Sequence, residues 1–89
     1  MTVTTSDTDP QAEIARLRAR IDEIDEAIIR LWRERAELSR RVGEARLAAG
    51  GTRLVLARER EILERYHAAL GPDGTQVGLL LLRAGRGTL

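Results

Sequence analysis

Ile14-Ala15-Arg16-Leu17-Arg18-Ala19-Arg20-Ile21-Asp22-Glu23-Ile24-Asp25-Glu26-Ala27-Ile28-Ile29-Arg30-Leu31 contains neither glycine nor proline, and its apolar residues step by three and four. Ile14, Leu17, Ile21, Ile24, Ile28 and Leu31 therefore share one stripe of an α-helix, at the spacing of a helix–helix seam. The next position in that register is Arg35, after which the seam resumes at Leu38, Val42, Ala45 and Ala49. A guanidinium facing a packed interior is costly unless something anionic meets it. Arg35 is either a packing and register device or a group awaiting a negatively charged ligand, and the pattern leaves both open.

Asp9-Pro10 marks the start of this helix, with Asp as N-cap and Pro in the first turn, where its missing N–H does no harm. The register continues without a breaker to about Ala49. By the helical rise the segment is roughly 60 Å long, about twice the diameter of a compact domain of this size. One chain cannot cover both ends of such a rod, so a homodimer is expected.

Gly50-Gly51 ends the first helix as a C-cap and opens a loop over 50–54. A second helix is expected over about Val55 to Leu70, with Ile62, Leu63, Tyr66 and Leu70 as its apolar side. Gly71-Pro72-Asp73-Gly74 is a strong turn signal with Asp73 as the expected N-cap. A third helix follows over about 74–85 through Val77, Leu79, Leu80, Leu81 and Leu82, stopped by Gly85 and Gly87, and residues 86–89 form a tail. The fold class is all-α: one long helix and two shorter ones, preceded by a flexible tail over 1–8.

Composition agrees. Eighty-nine residues make one small domain, near the size where a lone core is marginal. Phe is absent and Trp32 and Tyr66 are the only aromatics, so the core is built from Leu, Ile, Val and Ala. No cysteine is present, which excludes disulfides and thiol chemistry and fits a reducing compartment. Neither a signal-peptide core nor a membrane-length apolar run occurs, so a cytoplasmic location is expected and a membrane partner is not. Fifteen basic residues, all Arg, face fourteen acidic ones, which leaves no net basic field for nucleic acid.

Arg46 lies eleven residues after Arg35, close to three full turns, so the two point to nearly the same side. Two extended arginines roughly 16 Å apart by helical rise can share one small polyanion. Arg58 and Glu59 open the second helix, where the loop can fold them over this face; together they offer a carboxylate anchor and a hydroxyl acceptor. Arg18 shares the Arg46 stripe at roughly 42 Å along the rod, so it reaches the site only from an antiparallel partner. Taken singly, Arg46 and Arg58 also read as solvated surface arginines, Glu59 as an ordinary first-turn acid, Trp32 and Tyr66 as packing residues and His67 as surface. No metal cluster, nucleophile–base pair or phosphate loop is present. Pattern alone reaches a helical dimer with an arginine-rich pocket.

Ile14 to Asp25, continuing through Ile28, Leu31, Arg35 and Leu38, resembles the opening helix of the all-α (AroQ-type) chorismate mutases, of the form LRxxIDxxDxxIxxLxxxRxxL. Val42-Gly43-Glu44-Ala45-Arg46 is similar to the family's VGxxK step, with Arg for the usual Lys, and Arg58-Glu59 with Ile62-Leu63-Glu64-Arg65 to its RExxxLER motif. The resemblance covers roughly Ile14 to Tyr66. GGTRLV at Gly50 to Val55, GPDG at Gly71 to Gly74 and LLLRxGRG at Leu80 to Gly87 bring it closest to the short intracellular subclass. Members of that subclass are poor catalysts alone and are activated by complex formation with 3-deoxy-arabino-heptulosonate-7-phosphate (DAHP) synthase.

The resemblance implies a pericyclic Claisen rearrangement of chorismate to prephenate that uses no cofactor or metal. It implies that Arg35, Arg46, Arg58 and the Arg18 of a second copy hold the two substrate carboxylates. Arg46 also approaches the breaking ether bond, and Glu59 accepts a hydrogen bond from the ring hydroxyl. Thr52, Leu54 and Val55 are expected to border the substrate, and Arg86, Gly87, Thr88 and Leu89 to meet the synthase. Two departures stand out: Val55 replaces an Asp of better-known members, and no Gln matches the one in their last helix that donates to the ether oxygen. Each missing contact is worth about 1.5–3 kcal/mol in the transition state, in keeping with a weak free enzyme. Isochorismate pyruvate lyase on the same scaffold, a non-catalytic regulatory subunit of the synthase, and a nucleic-acid-binding helical dimer are the competing readings.

Overall fold

The computed structural model describes residues 9–87, which form three α-helices: α1 (Pro10–Ala48), α2 (Leu56–Leu70) and α3 (Pro72–Arg86). No strand occurs among the described residues, and no helix there is long and apolar enough to cross a membrane. The N-terminal tail over 1–8 lies outside the described residues. By contacts the chain divides into two units, Met1–Leu31 and Trp32–Leu89.

The first unit holds the N-terminal part of α1. Asp9 Oδ1 accepts the N–H of Gln11 at 3.0 Å and the Asp9 carbonyl accepts that of Glu13 at 3.0 Å, so the cap satisfies first-turn donors. Arg16 with Glu13 and Arg20 with Glu23 pair along the surface one turn apart. Ile14, Leu17, Ile21, Ile24, Ile28 and Leu31 are all exposed. They form an uncovered apolar stripe along one face of the helix.

In the second unit the core is small: the apolar side chains buried among the described residues are Ala36, Ile62, Leu81 and Leu82. The end of α1 is closed by two backbone bonds, Gly51 N–H to the Arg46 carbonyl at 2.7 Å and Gly50 N–H to that of Leu47 at 3.1 Å. This is the paired six-to-one and five-to-two arrangement of a Schellman cap. It satisfies the carbonyls of Arg46 and Leu47 in the last turn, the turn that carries the Arg46 side chain. Val55, extended at φ −125° and ψ 103°, leads into α2.

Gly71 joins α2 to α3 without a spacer. Its N–H donates to the His67 carbonyl at 2.7 Å, and its φ of 73° with ψ of −154° is a backbone state open essentially to glycine alone. Helix α3 then begins at Pro72, two residues earlier than the sequence predicts, because proline at the first helical position needs no hydrogen-bond donor. Gly71, not Asp73, is the N-cap residue, and Asp73 sits in the first turn.

Gly85 also departs from expectation. It does not stop α3 but is buried inside it, and a Cβ there would lie 2.7 Å from the Cβ of Ser39 on α1. The helix needs a residue without a side chain to approach so closely. It runs on to Arg86, and Gly87 at φ 69° ends it. Leu70, expected on the packed side of α2, is exposed because α2 turns only Ile62 fully inward.

Candidate active site

The second unit carries an open cavity of about 450 Å³, a size suited to a small metabolite. Helix α1 contributes Arg35, Ser39, Gly43 and Arg46, spaced by four, four and three so that they share one face. The loop contributes Arg53, at a bend, and Val55, the extended residue that leads into α2. Arg58, Glu59 and Ile62 come from α2, and Leu82, Gly85 and Arg86 from α3, with Gly87 just beyond.

Charge is segregated here. The chain has a formal net charge of +1, yet six arginines against two glutamates line this one cavity. The arrangement suits a small ligand with more than one negative charge, which guanidinium groups can bind through paired hydrogen bonds.

Each expected site residue can now be located. Arg35 is half-buried, and its Nη1 donates to the Leu81 carbonyl on α3 at 3.3 Å. The acceptor is neutral, so among the described residues the guanidinium has no ion-pair partner and commits one of its five donors. Arg46 is half-buried and has no ion-pair or side-chain hydrogen-bond partner among the described residues. Arg58 lines the cavity but donates through Nη1 to Glu61 Oε1 at 3.0 Å on its own helix. Glu59 is gripped by Arg86: Nε donates to Oε2 at 2.9 Å and Nη2 to Oε1 at 2.5 Å. That hydrogen bonding, joined by the charge of Glu59, holds the Arg86 guanidinium above its already high ordinary value despite partial desolvation, so Arg86 stays cationic.

Val55 is in the cavity wall, whereas Thr52 and Leu54 are exposed and are not; Thr52 Oγ1 donates to the Leu54 carbonyl at 2.9 Å. Arg18 is exposed in the first unit. Arg86 and Gly87, expected at a partner surface, belong to the cavity wall. Thr88 and Leu89 lie outside the described residues. Sequence reasoning missed Arg53, whose side chain lies over Gly43 with Cγ 3.1 Å from where a Cβ would stand. No period in this short, bent loop marks Arg53 in the sequence, so its place at the cavity was left to the fold. Among the described residues no cluster of His, Asp and Glu could hold a metal ion.

The family model for chorismate mutase type II matches residues 17–79, a span that takes in most of α1, all of α2 and the start of α3. The chain belongs to the chorismate mutase type II family. Its relatives in that family include the intracellular chorismate mutase of Mycolicibacterium smegmatis, 52% identical over 81 residues, which cover 91% of this chain and 78% of the relative. The intracellular chorismate mutase of Mycobacterium tuberculosis is likewise 52% identical over 80 residues, covering 90% and 75%. Among solved structures, this chorismate mutase family member superposes with a TM-score of 0.83 and 37% identity on a chain from Corynebacterium glutamicum, covering 89% of this chain and 95% of that one. That structure is a non-covalent complex of DAHP synthase and chorismate mutase with a bound transition state analog.

Proposed function

We propose that this chain rearranges chorismate to prephenate in phenylalanine and tyrosine biosynthesis, acting in the cytoplasm as an intertwined homodimer. One observation carries the reading: Arg35, Arg46, Arg58 and Glu59, spread over two helices and 25 positions, line a single cavity. The reaction is intramolecular and needs no nucleophile, proton transfer or cofactor. What the protein must do is hold the chair-like conformer of a dianion and stabilise charge growing on the ether oxygen.

Arg35 and Arg58 take the substrate carboxylates, and Arg46, free of ion pairs among the described residues, approaches the ether oxygen. Glu59 accepts the ring hydroxyl. The exposed Ile14 to Leu31 stripe supports a second copy laid antiparallel along it, which brings its own Arg18 to the site. Thr52 and Leu54 border the substrate only if the loop moves, since Val55 alone of the three lines the cavity. Val55 supplies packing where a charged contact would tighten the transition state, which supports a weak free enzyme.

Activation by DAHP synthase extends this reading, with the loop around 50–55 and the Arg83 to Leu89 segment as the responsive parts. The likeness to the Corynebacterium glutamicum complex supports it. Chorismate turnover, measured with and without the cognate synthase, tests both levels. Formation of prephenate, accelerated on adding the synthase, is the expected result. Pyruvate and salicylate from isochorismate, or no turnover under either condition, overturns the reading.

A further inference from the structure

Most ion pairs among the described residues are local. Glu37 with Arg40, Arg20 with Glu23 and Arg58 with Glu61 pair one turn apart, with side chains 47–70% exposed. The Arg86–Glu59 pair joins residues 27 positions apart, and its side chains are 31% and 17% exposed. Both residues line the cavity.

We propose that Arg86 is a positioning residue for Glu59, locking the carboxylate in the orientation from which it accepts the substrate hydroxyl; this rests on the role of Glu59 proposed above. A carboxylate has about four acceptor sites on its two oxygens. The Arg86 fork occupies one on each oxygen and leaves one on each for the substrate. Without that grip, the flexible glutamate sits in the first turn of α2 among arginines that the substrate needs. Arg58 and Arg46 line the same wall and compete for the charge. Pairing Glu59 with either neutralises a substrate anchor and misdirects the acceptor at once.

Arg86 is itself held. The preceding Gly85 is packed on Ser39, and Gly87 ends the helix, so the last turn of α3 is set against α1. A cation there also complements the partial negative charge of the helix terminus. The two-point grip needs the planar guanidinium; an ammonium supplies charge without the fork.

The experiment is a double-mutant cycle on the full chain, reading steady-state chorismate turnover for wild type, Arg86→Leu, Arg86→Lys, Glu59→Gln and the Arg86→Leu/Glu59→Gln pair. Arg86→Leu is expected to lower turnover about tenfold, mostly in kcat. Lysine should recover part of that loss. Once Glu59 is glutamine, removing Arg86 should cost less than about twofold, because the group it positions is gone. Should the leucine variant fail to fold, Arg86→Gln enters the same cycle. An equal loss in both backgrounds marks a purely structural contact and overturns the proposal, as does faster turnover in Arg86→Leu, which marks an obstructing latch. Wild-type turnover in Glu59→Gln is a different failure: it removes the role of Glu59 and the proposal falls with it.

Discussion

The Arg35 guanidinium and the Leu81 carbonyl, 46 positions apart, meet at 3.3 Å through a hydrogen bond from Nη1. This contact explains how a charge tolerates a place in the seam of α1. Arg35 is only half-buried, lies at the cavity and leans on the backbone of α3. A single neutral acceptor does not compensate a cation, so the position stays receptive to an anion.

Arg35→Leu separates the two readings of that charge. Turnover should fall by about two to three orders of magnitude, the usual effect of losing one charged contact to the reacting species. The thermal midpoint should hold or rise by a few degrees, as an apolar residue continues the seam. Parallel kinetics and thermal unfolding give the answer; normal turnover removes Arg35 from the site.

For Arg46→Ala and Arg58→Ala, each variant should lose at least about a hundredfold in turnover while keeping the assembly state of the wild type. Arg58 must release Glu61 to engage substrate, and its surface pair is worth less than about 1 kcal/mol. Kinetics and analytical ultracentrifugation check both variants. Normal rates for either would show that its assigned role is wrong.

Gly85→Ala tests the close approach of α3 to α1. A new Cβ meets Ser39, and forcing the helices apart should cost about 1–3 kcal/mol. Adding Ser39→Gly should recover part of it, less about 1 kcal/mol for glycine within a helix. Chemical denaturation at fixed protein concentration measures each. Full stability in Gly85→Ala would contradict the packing.

Ile24→Asp places a carboxylate in the exposed apolar stripe of the first unit. If a second copy covers that stripe, the substitution should dissociate the dimer and abolish turnover together, since Arg18 then has no neighbouring site to serve. Sedimentation and kinetics on one preparation read both; an active monomer rejects the dimeric site.

Much of this was visible in the chain because helices are local. The step of three and four from Ile14 to Leu31, the Asp9-Pro10 start and the Gly50-Gly51 end each depend on neighbours within a turn or two. The anomaly of Arg35 was visible for the same reason, as was its alignment with Arg46. Glycine misled for that very reason. In α3, Gly74 and Gly85 read as breakers, yet both are buried within the helix, where they admit α2 and α1. A small side chain looks the same in a sequence whether it ends a helix or lets another one in.

Periodicity and caps set out three helices, an arginine out of place in a seam and a handful of candidate ligands around it. Which of those side chains meet was left to the crossing of α3 over α1 and α2. That crossing pairs Arg86 with Glu59 and seats Arg35 under Leu81, while the folded loop places Arg53 and Val55, rather than Thr52 and Leu54, at the cavity. The reason is range: hydrogen-bonded turns are settled within about four residues, whereas an ion pair 27 positions apart exists only once the helices that carry it have packed.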